Sequence, residues 1–523
     1  MKIYAVQMQI KAEAFEENFE TIQKEILKAK ASSCDLVVFP ENCLSGSMLD
    51  SLWDSPSFFA ICETYHQKMM AISDSIGILY ISHGQWFCFL DGVQKTLQSD
   101  ALSTPILNIK NYKIALLSAK NLEISDEIDF IICLKNEFFF MDSSPFQWPY
   151  SKPGFLLNAV GTQNTGKAVY ALMGLSKIID ANAQVLYEAP FLEEKSFLLE
   201  WNQAFQLPET PSVPLSYWSR VQKALIYMIR ENLYRWGIKK IVIGASGGID
   251  SALAAVLYTK ALGPQNVILV NLPTQFNSQI TKNAAKKLAE NLTCPYLEIP
   301  ISDTLEVIKN NIETYAKNSL FAMEGIHFEN LQARARSSMF LASIASMNSA
   351  AFTSNANKTE LFTGYCTLYG DTSGVLCALG DLWKTEVYAL AEAINMDSLV
   401  IPTETLTIRP SAELSEEHNI EEGRGDPIQY EYHDLLFRYW LQSKRNLEDT
   451  KKLLLDGNFF LETKVPPKIF NKLFSSIDEA VLDMTYWWKR YKGIALAKRL
   501  QTPPILQLHQ KELAFGAFIE SQN

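Results

Sequence analysis

Ser246-Gly247-Gly248-Ile249-Asp250-Ser251 is the stretch of this sequence best equipped for chemistry. Two adjacent glycines let backbone N–H groups approach an anion closely. A helix beginning at that point adds the partial positive charge of its N-terminus. Ser246 and Ser251 offer hydroxyl donors to the same anion, and Asp250 is placed to ligate a Mg²⁺ that bridges phosphates. The pattern is neither Gly-x-Gly-x-x-Gly nor Gly-x-x-x-x-Gly-Lys-Ser/Thr, so it belongs to a different class of phosphate loop.

Such a loop needs a strand before it and a helix after it. Lys240-Ile241-Val242-Ile243-Gly244 predicts a buried strand and Asp250–Leu262 a helix, with a long helix upstream over about Ser216–Trp236. The first half alternates in the same way. Strands are expected at Ile3–Gln9, Asp35–Phe39 (stopped by Pro40), Ile78–Ser82, Lys113–Leu117, Phe130–Leu134 and Phe138–Met141, with an amphipathic helix over Ala14–Ala31. This alternation predicts an α/β layered domain. Pro208, Pro211 and Pro214 cluster with Thr210 and mark a linker. The expected division is a first domain over 1–196, a linker over 197–214 and a second domain over 215–523, mostly helical from Leu447 onward.

Bulk properties narrow the function. A chain of 523 residues, 48% hydrophobic and 20% charged, is a soluble multidomain enzyme by composition. Its net charge of −11 argues against nucleic acid as a partner. The start lacks the pattern of a signal peptide, and no run of 18 apolar residues suggests a membrane span. The eight cysteines are scattered without a Cys-x-x-Cys pair, and the six histidines form no ligand pair. Neither zinc nor a disulfide framework is expected, and the reducing cytoplasm is the expected compartment.

The hexapeptide resembles the signature of the N-type ATP pyrophosphatases, which cleave ATP between the α and β phosphates. Further segments resemble the NAD⁺ synthetases within that group. They are Leu272-Pro273-Thr274-Gln275-Phe276-Asn277-Ser278, Glu329-Asn330-Leu331-Gln332-Ala333-Arg334-Ala335-Arg336, Asn357-Lys358-Thr359-Glu360, Gly364-Tyr365-Cys366-Thr367-Leu368-Tyr369-Gly370-Asp371, Asp381-Leu382-Trp383-Lys384-Thr385 and Arg409-Pro410-Ser411-Ala412-Glu413-Leu414. Lys498-Arg499 and Phe515-Gly516 are similar to the family's C-terminal closing element. Each segment alone has an ordinary structural explanation, such as surface arginines or a packed Tyr365; their joint order carries the resemblance.

The resemblance implies a Rossmann-like adenine nucleotide α hydrolase domain. ATP would be bound by Gly244, Ser246, Gly247, Gly248, Ile249, Asp250, Ser251, Ser354, Lys384 and Ser411, the last two also acting in catalysis. It implies deamido-NAD⁺ at Asn330, Arg334, Glu360, Asp371 and Lys498, and Mg²⁺ on Asp250 and Glu360. Ser354-Asn355-Ala356 departs from the family's usual Thr-Thr-Gly but keeps a hydroxyl at Ser354. The implied reaction adenylates the nicotinate carboxylate and then amidates it with ammonia, since a bare carboxylate is a poor electrophile.

The first half resembles a nitrilase-like (carbon–nitrogen hydrolase) α-β-β-α sandwich, as in the two-domain glutamine-dependent members of the family. Asp35-Leu36-Val37-Val38-Phe39-Pro40-Glu41 matches its opening, with Glu41 as the general base. Lys95 is either the triad lysine or a solvated surface lysine. Lys113-Ile114-Ala115-Leu116-Leu117-Ser118-Ala119 aligns Ala119 with the nucleophilic cysteine, and Met141-Asp142-Ser143-Ser144-Pro145-Phe146 supports that register. The expectation is a domain without glutaminase activity, so that free ammonia or a separate donor supplies the nitrogen. The alternatives are an amidase using Ser118 or a displaced cysteine, and a non-catalytic dinucleotide-binding scaffold. A homo-oligomer, dimer or larger, is expected from the family.

Overall fold

Alternation along the strands decides how the first unit layers. In Lys2–Gln7, Leu36–Val38 and Gly77–Ser82 one set of side chains, with Ile3, Leu36, Val38, Leu79 and Ile81 among them, faces a second sheet. The opposite set, including Val6, Val37, Ile78 and Tyr80, faces the helices Phe15–Ala31 and Pro56–Ala71 through Phe19, Ile22, Phe58 and Met69. A computed structural model of the protein describes residues 1–99, 104–118, 124–207, 215–316, 323, 325–416 and 425–512. The chain divides into two units, Met1–Thr165 with Val169–Ser216, and Gly166–Ala168 with Tyr217–Asn523.

The first sheet runs Phe205–Gln206, Lys195–Trp201, Lys2–Gln7, Leu36–Val38, Gly77–Ser82, Gln85–Leu90, Val93–Gln94. The second runs Val185–Glu188, Lys177–Ile179, Gly154–Asn158, Phe130–Lys135, Tyr112–Leu117, Pro105–Ile109, Gln98–Ser99. Among the described residues no helix covers the outer face of this second sheet. The segment around Phe146, Trp148 and Tyr150 does so instead, packing on Ala115, Leu117 and Ile131; Pro145, Pro149 and Pro153 keep it from becoming helical.

Two sequence expectations change. The strand expected at Phe138–Met141 is one isolated bridge, Phe138 to Leu172, because its aromatic rings pack singly against Tyr170 and Phe191. Residues 197–206 of the expected linker lie instead in the first sheet. Lys195–Trp201 pairs antiparallel with Lys2–Gln7 along its whole length and Phe205–Gln206 pairs with it in turn. Phe197, Leu199 and Trp201 bury inward, a contact between sequence-distant strands that local patterning cannot show. The prolines 208, 211 and 214 lie outside the described residues.

The second unit is built on a parallel sheet in the order Tyr296–Glu298, Val267–Asn271, Ile241–Gly244, Ala351–Phe352. The helix Ile249–Leu262 is buried along nearly its whole length, with the helices Tyr217–Arg235 and Lys384–Asp397 packed against it. The C-terminal helices enclose an aromatic cluster that includes Phe362, Trp383, Phe437, Trp440, Trp487 and Tyr491. Phe362 and Tyr491 stack with ring centroids 4.1 Å apart. Among the described residues no helix is long and apolar enough to cross a membrane.

Candidate active site

The strand Ile241–Gly244 ends at the mouth of a cavity of about 310 Å³. The loop Ser246–Ser251 turns here because Gly247 adopts φ +89° and lies so close to Thr281 that a Cβ would come within 2.1 Å of its carbonyl oxygen. Ser251 braces the turn from within: its hydroxyl receives Ser246 N–H at 3.3 Å and donates to Gly248 O at 2.9 Å. Ser246 Oγ lies 3.2 Å from the same hydroxyl and accepts Gly248 N–H at 3.3 Å. The helix Ile249–Leu262 then starts at the cavity with no side-chain cap, which leaves its N-terminal N–H groups for an anion.

Charge is concentrated on one wall. Lys384 opens the helix Lys384–Asp397 and its Nζ reaches Asp250 Oδ2 at 2.5 Å and Glu360 Oε1 at 3.4 Å. Asn357 Nδ2 donates to the other Asp250 oxygen at 2.8 Å, and Asn357 and Glu360 cap the short helix Lys358–Thr363 reciprocally. Burial alone would lower the Lys384 pKa, but attraction from Asp250, Glu360 and Asp426 more than reverses this and keeps it protonated. Burial and the nearby Asp250 push the Glu360 carboxyl up, with Lys384 opposing. The result is a lysine held between carboxylates at a cavity wall.

Beneath this wall lies a second ionic group. The fully buried Lys358 bonds Asp381 at 2.6 Å and Glu512 at 2.5 Å. His509 reaches Glu386 at 3.1 Å, and Arg438 also pairs with Glu386. Burial works against the charge on His509, yet Glu386 and Asp381 raise its pKa to about 10. Because Lys358 precedes Glu360 by two residues and Asp381 precedes Lys384 by three, this network fixes the backbone that carries Glu360 and Lys384.

The sequence-named residues separate into two groups. Gly244, Ser246, Gly248, Ile249, Asp250, Ser251, Glu360, Asp371, Lys384 and Ser411 line the cavity. Asn330, Arg334 and Lys498 instead brace the loop 364–371 from outside. Asn330 accepts from Thr367 at 2.9 Å, Arg334 donates to Leu368 O at 3.1 Å, and Lys498 donates to Gly364 O at 2.7 Å and to Cys366 O. Ser354 turns its hydroxyl onto Asp371 O at 3.0 Å, while its neighbours Thr353 and Asn355 face the cavity, as alternation along extended chain requires. Phe515 and Gly516 lie outside the described residues.

Other wall residues escaped the sequence reading. The helix Ile326–Arg334 passes into a wide π-helical stretch at Ala335–Leu341, and this aims Arg336 at the cavity, unlike the exposed Arg334. Arg336 donates to Leu272 O at 3.1 Å, and burial pulls it down to about 10 against the attraction of Glu413. Glu413 in turn accepts from Thr281 Oγ1 at 2.9 Å and from Asn277 and Ser278 at 3.2 Å. Asp426 is the remaining buried acid of the wall. The two arginines of one motif offered a signal, since residues two apart point to different helix faces.

In the first unit the two residues named for the amidase remnant, Glu41 and Lys95, lie on separate segments. Glu41 follows Leu36–Val38, and burial raises its pKa. Lys95 is exposed beyond Val93–Gln94 at the sheet edge, three strand positions from Leu36–Val38, which is about 14 Å at ordinary strand spacing. Lys135 lies nearer, since Asn136 Nδ2 donates to Glu41 O at 2.6 Å, but it pairs with Glu137 at 3.4 Å. The thiols of Cys34, Cys43, Cys62, Cys88 and Cys133 are all buried, and burial raises every one. Ala119 lies outside the described residues.

Known proteins match both units. The NAD synthase family matches residues 221–466 and the carbon-nitrogen hydrolase family residues 2–83. A glutamine-dependent NAD(+) synthetase of Synechocystis sp. is 27% identical over 464 residues, 77% of this chain and 82% of that protein. An NH(3)-dependent NAD(+) synthetase of Fusobacterium nucleatum is 33% identical over 229 residues, 44% of this chain and 83% of that protein. The crystal structure of a glutamine-dependent NAD(+) synthetase from Cytophaga hutchinsonii superposes with a TM-score of 0.77 at 14% identity, covering 98% of this chain and 95% of that one. With the ATP-type phosphate loop, the charged wall and a carbon–nitrogen hydrolase-like unit ahead of them, the chain belongs to the NAD⁺ synthetases, ligases that consume ATP to form a carbon–nitrogen bond, and has the two-unit architecture of the glutamine-dependent members.

Proposed function

We propose that this NAD⁺ synthetase amidates deamido-NAD⁺ with ammonia itself, its first unit having lost the glutaminase reaction. The convergence of Lys384 with Asp250 and Glu360 over the phosphate loop carries the ligase half of this reading. The nicotinate carboxylate oxygen attacks the α-phosphorus of ATP, the bond to the β-phosphate oxygen breaks, and pyrophosphate leaves with the electron pair. Backbone N–H groups of the loop and Lys384 hold the departing charge, and Ser411 adds a hydroxyl on the same cavity wall. Ammonia then attacks the carbonyl carbon, the bond to AMP oxygen breaks, and the nitrogen's extra proton passes to solvent.

Asp250 and Glu360 fit a Mg²⁺, because both present an oxygen to one cation, the Lys384 ammonium, beside the place where phosphates would lie. Among the described residues no group of three or more His, Cys, Asp or Glu side chains gathers as a metal cage; this suits an ion held by two carboxylates plus substrate oxygens. Bound there, Mg²⁺ would supply charge neutralisation to the phosphates.

Support for ammonia comes from the first unit: a sequence with alanine at the nucleophile position, a distant Lys95, and thiols buried beyond use as thiolates. A homo-oligomer and a cytoplasmic setting belong to the same reading, the latter supported by eight unpaired cysteines. NAD⁺ formation from deamido-NAD⁺ and ATP tests it, with ammonium and glutamine compared at equal nitrogen. Ammonium supports synthesis and glutamine does not. Equal rates with both would overturn the loss of glutaminase, and no product with either would overturn the ligase reading.

A further inference from the structure

The helix Lys384–Asp397 begins without a cap of its own. Trp383, the residue ahead of it, makes no side-chain capping bond, and an indole has only a donor to offer. The first two backbone N–H groups of the helix are instead accepted by side chains from elsewhere. Lys384 N–H donates to Thr359 Oγ1 at 2.9 Å, and Thr385 N–H donates to Asp434 Oδ2 at 2.9 Å. Thr359 belongs to the helix Lys358–Thr363 and Asp434 to the helix Tyr430–Ser443. Three helices are therefore tied at one point, two of them capping the third.

The direction of each bond is fixed. Thr359 Oγ1 donates to Asp434 Oδ1 at 2.6 Å, and Thr385 Oγ1 donates to Oδ2 at 2.9 Å. Burial pushes the Asp434 carboxyl up to about 6 while these donors pull against it, so at neutral pH it is ionised and only accepts. The single proton of the Thr359 hydroxyl is thus committed to Asp434, which leaves its lone pairs for Lys384 N–H. Thr359 is fully buried, Asp434 is 2% exposed, and neither lines the cavity. Yet Thr359 adjoins Glu360, and the backbone it grips is that of Lys384, whose Nζ reaches Asp250 and Glu360. A buried carboxylate is costly to keep, whereas a cap for stability alone needs only Ser, Thr, Asn or Asp at position 383.

Resting on the reading that Lys384 serves the ATP chemistry, we propose that Asp434 and Thr359 are positioning residues for the ligation. They set the start of the lysine's helix against Glu360 and so aim the Lys384 ammonium. Neither touches substrate. A shift of about 1 Å in that helix start is enough to cost about 100-fold in turnover.

Steady-state kinetics and urea unfolding of the full chain test this, with ammonium chloride, ATP and deamido-NAD⁺ varied in turn at fixed Mg²⁺. Thr359→Val keeps the shape of the side chain, removes the hydroxyl and lowers kcat by about 10- to 100-fold. The three KM values stay within about twofold, because no substrate contact is lost. Thr359→Ser restores the hydroxyl and most of the rate. In the Lys384→Ala background Thr359→Val changes kcat by less than about twofold, since no ammonium is left to aim. Should Thr359→Val fail to fold, Asp434→Asn carries the same test. Its amide NH₂ must face either Thr359 or Thr385, where a carboxylate oxygen now accepts, and it lowers kcat with the same unchanged KM values. An unchanged kcat in Thr359→Val, whatever happens to the urea midpoint, would overturn the clamp. So would an equal loss in Thr359→Ser, or a full further loss on top of Lys384→Ala. Wild-type protein inactive with ammonium, or Lys384→Ala at the wild-type rate, sinks the underlying reading instead, so the two failures are distinguishable.

Discussion

Each unit brings lysine and carboxylate together near the ends of its central strands, to opposite effect. In the second, Lys384 lies between Asp250 and Glu360 at the wall of a cavity. In the first, Lys135 is committed to Glu137, Glu41 is burdened by burial, and the thiols lie inside apolar packing. Similar residue types stand in different surroundings in the two places. What differs is that the charges of the second unit converge on a cavity of about 310 Å³, whereas Lys135 and Glu137 pair with each other at 3.4 Å.

The sharpest break of this comparison is made underneath the active wall. Lys358→Met leaves Asp381 and Glu512 buried without their lysine and lowers unfolding free energy by about 3–5 kcal/mol, read from urea midpoints. Lys384→Ala leaves the fold intact and lowers kcat for NAD⁺ formation by about 100- to 1,000-fold, the usual cost of removing one donor to developing charge. A preserved midpoint with lost turnover separates the wall from its support.

The pH dependence refines the same division. The pKa of His509 is raised in the folded state from 6.5 to about 10. Its contribution to stability is therefore fully present below pH 6.5 and is lost as pH rises through about 10. Thermal scans between pH 7 and 10 show the melting temperature of the wild type falling more steeply than that of His509→Gln; parallel slopes would remove the histidine from the network. The smallest effect belongs to the first unit. Glu41→Gln changes the ammonium-dependent rate by less than about twofold, the behaviour of a residue outside the reaction. A large loss would mean that the first unit still takes part.

Local patterns made much of the structure legible. Ile241–Gly244 and the loop after it could be read because strand, turn and helix N-terminus are contiguous, and the turn demands glycine at Gly247. Lys384, Glu360 and Ser411 stood out through resemblance, since each comes from a separate segment. What stayed hidden depended on distance in sequence or on which way a side chain turns. Lys195–Trp201 was masked by the prolines that follow it, although it completes a sheet begun by Lys2–Gln7. Asn330, Arg334 and Lys498 belong to the right motifs yet grip a loop from behind, and Ser354 differs from Asn355 only in the side of the chain it occupies. Asp426 gave no signal at all, because it lies in none of the segments that carry the resemblance.

The Lys358–Glu512 pair joins residues 154 positions apart. During synthesis the lysine leaves the ribosome long before its glutamate exists, and the interior that will hold it must wait, hydrated and unfinished, until residue 512 is made. At translation speeds of about 5–20 residues per second that delay lasts roughly ten to thirty seconds. For that interval the nascent ligase is a chain with its nucleotide loop already encoded and its foundation still missing, and so a natural client for whatever shields unfinished proteins at the tunnel exit.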